Sequence, residues 1–162
     1  MGSSITSIGS EAFYDCFSLN DISIPNSVTS IGACAFDGCT RLESVYFQGN
    51  APSADSSVFD GDNYATVYYL PGTTRWGPFF DNRPAVLWNP QVRPGSFGVH
   101  SNQFEFTIAG TGGLVIVVEA GTSLANPIWA PVGTNTLTGG SSYFSDPNWA
   151  KCSSRFYRLR SP

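Results

Sequence analysis

Charge is scarce in this sequence, and the scarcity excludes several classes of partner. Charged residues make up 12% of the 162 residues, about half of what a typical globular domain carries. Eight basic residues against twelve acidic ones leave a formal net charge of −4, and Lys151 is the only lysine. Such a chain has little electrostatic attraction for nucleic acid or for an anionic membrane surface. We therefore predict no nucleic-acid partner.

Long apolar runs and long helical stretches are also missing. No stretch of apolar residues is long enough for a transmembrane helix, so no membrane insertion is predicted. The 17 glycines and 11 prolines are spread along the chain and leave no window for the helices of an all-helical bundle. Because 41% of the residues are hydrophobic, a packed core is available and disorder is excluded. The composition predicts a mainly β binding or structural protein.

Residues that carry catalysis or bind metals are few. His100 is the only histidine, and no base or nucleophile accompanies it in the sequence. The segment 60–63 resembles the start of a calcium loop, but Tyr64 and Ala65 occupy the positions that need an acid and a glycine, so we interpret it as a polar turn. No zinc or redox spacing connects the four cysteines, Cys16, Cys34, Cys39 and Cys152. We predict a non-enzyme with no metal site and no cofactor.

A repeat of 23 residues occupies the first part of the chain. A shift of 23 aligns residues 5–16 with residues 28–39, and Phe13 and Phe36 continue to Phe59 in a decayed third copy that ends near residue 72. A unit this short cannot bury its apolar face alone, so the copies must stack, with equivalent residues about 4.8 Å apart. We interpret Cys16 and Cys39 as packing residues of one such ladder and leave the disulfide state of the cysteines open.

The phrase Val28-Thr-Ser-Ile-Gly-x-x-Ala-Phe-x-Gly-Cys-Thr-x-Leu-x-Ser-Val45 resembles the bacterial surface-antigen (BspA-like) type of leucine-rich repeat. The resemblance covers about residues 4–72, and spacing and residue type agree in two consecutive copies. It implies a solenoid, an extracellular or cell-surface location, and adhesion to or binding of a protein or other cell-surface macromolecule. Since no signal peptide is visible and members often carry more coils, we expect a fragment of a longer protein.

The remaining segments complete the predicted organisation. Residues 73–90 break the repeat, and their aromatic residues are expected to cover the open end of the last coil: Trp76, Phe79, Phe80 and Trp88. We therefore predict a repeat domain over 1–90, a linker over 91–98 and a small antiparallel β-sandwich-like module over 99–162. Its predicted strands include 104–108, 114–120, 128–132 and 136–138. Residues 96–162 are similar to C-terminal modules of secreted bacterial repeat proteins.

Two candidate binding surfaces follow. If Ile22 and Val45 point inward, Ser23 and Tyr46 point outward, and a shift of 23 places Tyr69 in the same column. Tyrosine adds contact area at low entropic cost, although these could be ordinary solvent-facing strand residues. The alternative function is carbohydrate binding by the C-terminal module. Its candidate contacts, which could equally pack in the core, are Trp129, Tyr143 and Trp149.

The first coil is expected to have an exposed end. Stacked repeats need terminal units with a polar outer face, and the few residues before Ile5 cannot supply one. We expect Ile5, Ile8 and Phe13 to be partly uncovered. Because this leaves apolar surface in water, the sequence predicts fraying of residues 1–20 or self-association through the N-terminal coil.

Overall fold

The computed structural model describes residues 4–161 and divides the chain into two compact units, Met1–Trp88 and Asn89–Pro162. Both units are mainly β, and the one helical segment among the described residues is a 3₁₀-helix, Trp149–Lys151. The first unit ends two residues before the predicted domain end at residue 90. Residues 1–3 of the predicted repeat domain lie outside the described residues.

Two parallel ladders in the first unit follow the sequence repeat. One ladder joins three two-residue strands in the order β1-β3-β5, and each step from Ser7 to Ser30 to Ser53 is 23 residues. The other is a parallel sheet in the order β2-β4-β6-β8, with β7 antiparallel to β8 at its edge. The bounds are β1 (Ser7–Ile8), β2 (Asp21–Ile24), β3 (Ser30–Ile31), β4 (Ser44–Phe47), β5 (Ser53–Ala54), β6 (Thr66–Tyr69), β7 (Phe79–Phe80) and β8 (Arg83–Leu87).

Equivalent apolar residues of successive coils stack in the core of this unit. The Phe36 ring is fully buried and lies between Phe13 and Phe59, with ring centroids 5.0 and 5.4 Å away. Cys16 and Cys39 belong to the same cluster, which confirms their interpretation as packing residues. The Cys39 thiol donates to the carbonyl oxygen of Phe13 at 3.1 Å, and burial raises the pKa of this thiol to about 11. All four cysteines are free thiols.

The segment 73–90 packs aromatic rings on the last coil and also extends the sheet through β8. The Trp76 ring stacks on Tyr69 at 5.1 Å and meets Phe47 edge-on at 5.0 Å. Phe80 contacts Phe47 and Trp76, whereas Phe79 is 64% exposed. The expectation that Phe79 covers the coil is therefore wrong, because adjacent residues of a strand point to opposite faces. Trp88 is half-buried, and its backbone N–H donates to Tyr69 at 2.8 Å.

The second unit consists of two antiparallel sheets. One has the order β10-β11-β14 with β9 also paired to β11, and the other has the order β13-β12-β15. Their facing side chains include Phe106, which contacts Phe144 on its own sheet at 4.8 Å and Tyr157 on the other at 5.9 Å. The bounds are β9 (Gln91–Val92), β10 (Gly98–His100), β11 (Gln103–Ala109), β12 (Val115–Gly121), β13 (Ala130–Thr136), β14 (Ser141–Asp146) and β15 (Phe156–Arg160).

The segment predicted as a linker, 91–98, is partly built into this unit. Strand β9 pairs with Ile108 and Ala109 of β11, and the Arg93 N–H donates to the carbonyl of Thr107 at 2.9 Å. The backbone of 91–93 therefore runs along a sheet edge instead of crossing open solvent. Proline and glycine at 94–95 mark the turn after this strand.

Candidate functional site

Two tyrosines lie side by side on the outward face of the parallel sheet. Tyr46 and Tyr68 pair across β4 and β6, and their rings stack with centroids 5.0 Å apart and planes 17° from parallel. On the other side of Tyr46 the register places the exposed Ser23 of β2. We call Ser23, Tyr46 and Tyr68 the tyrosine face. The rings stack because neighbouring strands lie about 4.8 Å apart, which is also a favourable ring separation.

Tyr69 does not belong to this face. It pairs with the inward-facing Phe47, and its ring lies parallel to Trp76, so the prediction that it shares a column with Tyr46 is wrong. The cause is a missing residue in the third coil, where Ala65-Thr-Val67 replaces Leu42-Glu-Ser-Val45. The sequence separation between equivalent strand residues of the second and third coils therefore falls from 23 to 22, and Tyr68 faces outward. An alignment of Val45 with Val67, both of which are buried, would have revealed the missing residue.

The phenol groups of the tyrosine face are neutral hydrogen-bonding groups. Burial raises the pKa of Tyr46 and of Tyr68, while hydrogen bonds with the Ser44 and Thr66 hydroxyls offset part of the shift. Ser44 and Thr66 each lie two residues earlier on the same strand, so each hydroxyl shares a face of the sheet with its tyrosine. The nearby carboxylate of Asp21 also raises the Tyr46 pKa and gives one end of the face a negative charge. The result is a flat aromatic surface with polar edges.

Comparison with known families decides what the first unit is. Residues 1–78 match the family described as BspA type leucine-rich repeat region (6 copies). This part of the chain is a BspA-type leucine-rich repeat region. The family points to interaction with proteins or surfaces in general, is typically non-catalytic, and is typical of secreted or surface proteins of bacteria. No curated protein and no solved structure matches the chain.

Membrane-spanning helices and metal-binding clusters are both absent from the part of the chain that the structure describes, residues 4–161. No helix there is long and apolar enough to cross a membrane. The same residues contain no group of three or more histidine, cysteine or acidic side chains placed to hold a metal ion. The tyrosine face is the candidate binding surface of the leucine-rich repeat region.

Outside that region, Trp129 lies on the outward face of the sheet β13-β12-β15. A Cβ on Gly121 would lie 3.2 Å from the Trp129 ring, so glycine allows the close approach of the indole. The Arg158 guanidinium lies over the ring at 4.6 Å, a cation–π contact. Arg158 and Arg160 both pair with Glu119 at 2.7 Å, and these pairs lower the Glu119 pKa. The Trp129 ring thus already has a cationic partner.

The other two candidate sugar contacts lie elsewhere in this unit. Tyr143 is 56% exposed on β14, where it alternates with the buried Phe144 and so faces outward from the other sheet. Trp149 lies in the 3₁₀-helix after β14, half-buried, and its indole N–H donates to the Asn102 carbonyl at 3.2 Å. The structure therefore does not bring Trp129, Tyr143 and Trp149 into one site.

One buried acid was missed by the interpretation of 60–63 as a polar turn. Asp62 is only 1% exposed, and neither carboxylate oxygen has a hydrogen-bond partner among the residues that the structure describes. Burial, followed by the negative charge of Asp37, raises its pKa to about 7, and the neighbouring Arg83 offsets part of the shift. The 23-residue period could have revealed the burial, because Asp62 stands one period after Cys39 in the ladder of packing residues.

Proposed function

We propose that the leucine-rich repeat region forms a short solenoid that binds another protein through its tyrosine face, as part of a secreted or cell-surface adhesion protein. The second unit is a β-sandwich-like module of the same protein. The stacked pair Tyr46–Tyr68 carries the proposal, because its two half-buried rings lie side by side on the outward face of the parallel sheet. Rigid tyrosines are typical energetic centres of protein interfaces.

The surroundings of the pair support a protein partner with a basic residue at its rim. Ser23 adds a small hydroxyl beside Tyr46, and Asp21 adds a carboxylate at the same end. Aromatic centres with a polar rim are the usual anatomy of such an interface. Since the rim charge is exposed, it contributes to the association rate more than to the affinity.

The first experiment compares the full chain with its Tyr46→Ala, Tyr68→Ala double variant. Binding of the labelled chain to intact cells and to immobilised cell-surface protein is expected to weaken at least about tenfold, which corresponds to roughly 1.4 kcal/mol. The matched control is Tyr64→Ala, since Tyr64 is 78% exposed but lies outside the face. Protease treatment of the cells should abolish binding. Unchanged binding by the double variant, or equal loss by the control, would refute the tyrosine face as the interface.

Self-association through the N-terminal coil is a second proposal. Contrary to expectation, Ile8 is buried at 5%, but Ile5 and Phe13 are half-buried as expected, and Phe17 is 56% exposed. A shallow hollow of about 510 Å³ lies beside them, lined by Phe13, Asp15, Cys16, Phe17, Ser18 and Leu19. The opposite end carries Trp76 and Phe80, so head-to-tail stacking is blocked. Head-to-head contact of two copies is the remaining arrangement.

This dimer predicts a concentration-dependent mass in analytical ultracentrifugation. Phe17→Asp should weaken the association, because a charge in an apolar contact must be desolvated. The control Phe97→Asp places the same charge at a 62% exposed phenylalanine of the second unit and should leave the mass unchanged. A chain that stays monomeric at every concentration, or a dimer insensitive to Phe17→Asp, would contradict the proposal.

A further inference from the structure

A pocket in the second unit gives Trp149 a role that the other candidate sugar contacts lack. The cavity measures about 280 Å³, near the lower limit for small-molecule sites. We call it the Trp149 pocket. The aromatic and aliphatic part of its lining consists of Val99, Phe104, Trp149 and Tyr157. The rest of the lining consists of Cys152, Ser153, Ser154 and Arg155.

The aromatic part of the lining is held in place. The Phe104 ring stacks on Tyr157 with centroids 5.0 Å apart and planes 8° from parallel, which joins one sheet to the other. The hydrogen bond from the Trp149 indole to Asn102 fixes the edge of that ring. Among residues 4–161 no aromatic ring or cation packs on the Trp149 face, whereas Arg158 lies over Trp129. Trp149 therefore lines the pocket without the cationic partner that Trp129 has.

The polar part of the lining is close to electrically neutral. The Arg155 guanidinium lies 2.6 Å from the carboxylate of Asp146, which also accepts a hydrogen bond from the Tyr157 hydroxyl at 2.9 Å. Asp146 is only 4% exposed, so the positive charge is matched inside the wall of the pocket. Ser153 and Ser154 are exposed, and their hydroxyls have no partner among the described residues. An uncharged ligand rich in hydroxyl groups fits this lining best.

We propose that the Trp149 pocket binds one ring of a neutral polysaccharide. A pyranose ring presents C–H groups on its face, and these are attracted to the negative face of an indole. The hydroxyl groups at its edge can both donate to and accept from the Ser153 and Ser154 hydroxyls. Arg155 keeps its orientation through Asp146 and offers its remaining N–H groups to ring or hydroxyl oxygens. Trp129 and Tyr143 take no part.

Titration of the full chain with neutral oligosaccharides tests the proposal. Calorimetry with cello-, xylo-, manno- and chito-oligosaccharides up to about 5 mM should detect binding of at least one, in the affinity range expected for a single-ring site. Trp149→Ala should weaken that binding at least about tenfold, and Trp149→Phe should retain most of it because an aromatic face remains. The matched control Trp129→Ala should change the affinity less than about twofold.

Each outcome bears on the proposal. If circular dichroism shows that Trp149→Ala disturbs the fold, the double variant Ser153→Ala, Ser154→Ala tests the pocket instead. Its affinity for the oligosaccharide is expected to fall at least about threefold. The proposal is overturned if no neutral oligosaccharide binds, if Trp129→Ala weakens binding as much as Trp149→Ala, or if only acidic saccharides or an aromatic peptide bind. Because Tyr46 and Tyr68 lie in the first unit, their double variant should bind the oligosaccharide normally, which separates this test from that of the tyrosine face.

Discussion

Truncation of Phe36 to alanine is expected to lower the free energy of unfolding of the leucine-rich repeat region by about 3–5 kcal/mol. The ring is fully buried and contacts Phe13 on one side and Phe59 on the other, so its removal leaves a cavity and breaks two ring contacts. For a unit of this size, about 4–8 °C are lost per kcal/mol. Thermal unfolding followed by circular dichroism should therefore show a fall in Tm of more than about 10 °C.

The matched control for this prediction is Phe17→Ala. Phe17 has the same side chain but is 56% exposed, so its truncation should change the stability by less than about 0.5 kcal/mol. A Phe36→Ala variant as stable as Phe17→Ala would show that the coils do not stack through the phenylalanine column.

Replacement of Asp62 by asparagine is expected to stabilise the leucine-rich repeat region at pH 8 and to change it little at pH 5. Burial holds the Asp62 pKa at about 7, above the ordinary 3.8. Between these values the folded chain keeps a proton that the unfolded chain releases, so stability falls as pH rises from about 4 to 7. Above pH 7 the buried carboxylate is charged, at a cost of about 2–4 kcal/mol. Asparagine removes that charge.

Denaturant unfolding from pH 4 to pH 8 measures this effect. The wild-type chain should lose stability across the range, and Asp62→Asn should lose clearly less. Asp60→Asn is the matched control, because Asp60 is two residues away but exposed, and its variant should keep the wild-type slope. Asp62→Cys, which extends the Cys16–Cys39 ladder, should behave like Asp62→Asn. An Asp62→Asn variant with the same pH slope as the wild-type chain would contradict the buried acid.

The repeat region could be predicted closely because each coil constrains the next. The 23-residue period leads directly to the column Phe13–Phe36–Phe59 and to the inward packing of Val45. It fails where the third coil is one residue short, since a constant period cannot detect a deletion in a turn. For this reason the period predicts Tyr69 beside Tyr46, whereas the structure has Tyr68 there.

The second unit has no period, so its prediction depended on local pattern. Segments 128–132 and 136–138 were expected to be separate strands, yet Ala130–Thr136 is one strand. Its glycine at 133 is a close-packing position: a Cβ there would lie 2.9 Å from the Phe144 ring. The Trp149 pocket could not be predicted from the sequence, because Phe104 and Tyr157 come into contact only when the two sheets pack together.

The parallel ladder between successive coils also has a mechanical consequence. Its hydrogen bonds join neighbouring coils only, so tension along the chain loads them one coil at a time and does not shear a whole sheet at once. Each coil released from the stack would lengthen the chain by up to about 80 Å of contour. The aromatic contacts of Trp76 and Phe80 reinforce the last coil, which would yield late. Under tension the leucine-rich repeat region would therefore lengthen in successive steps of one coil each.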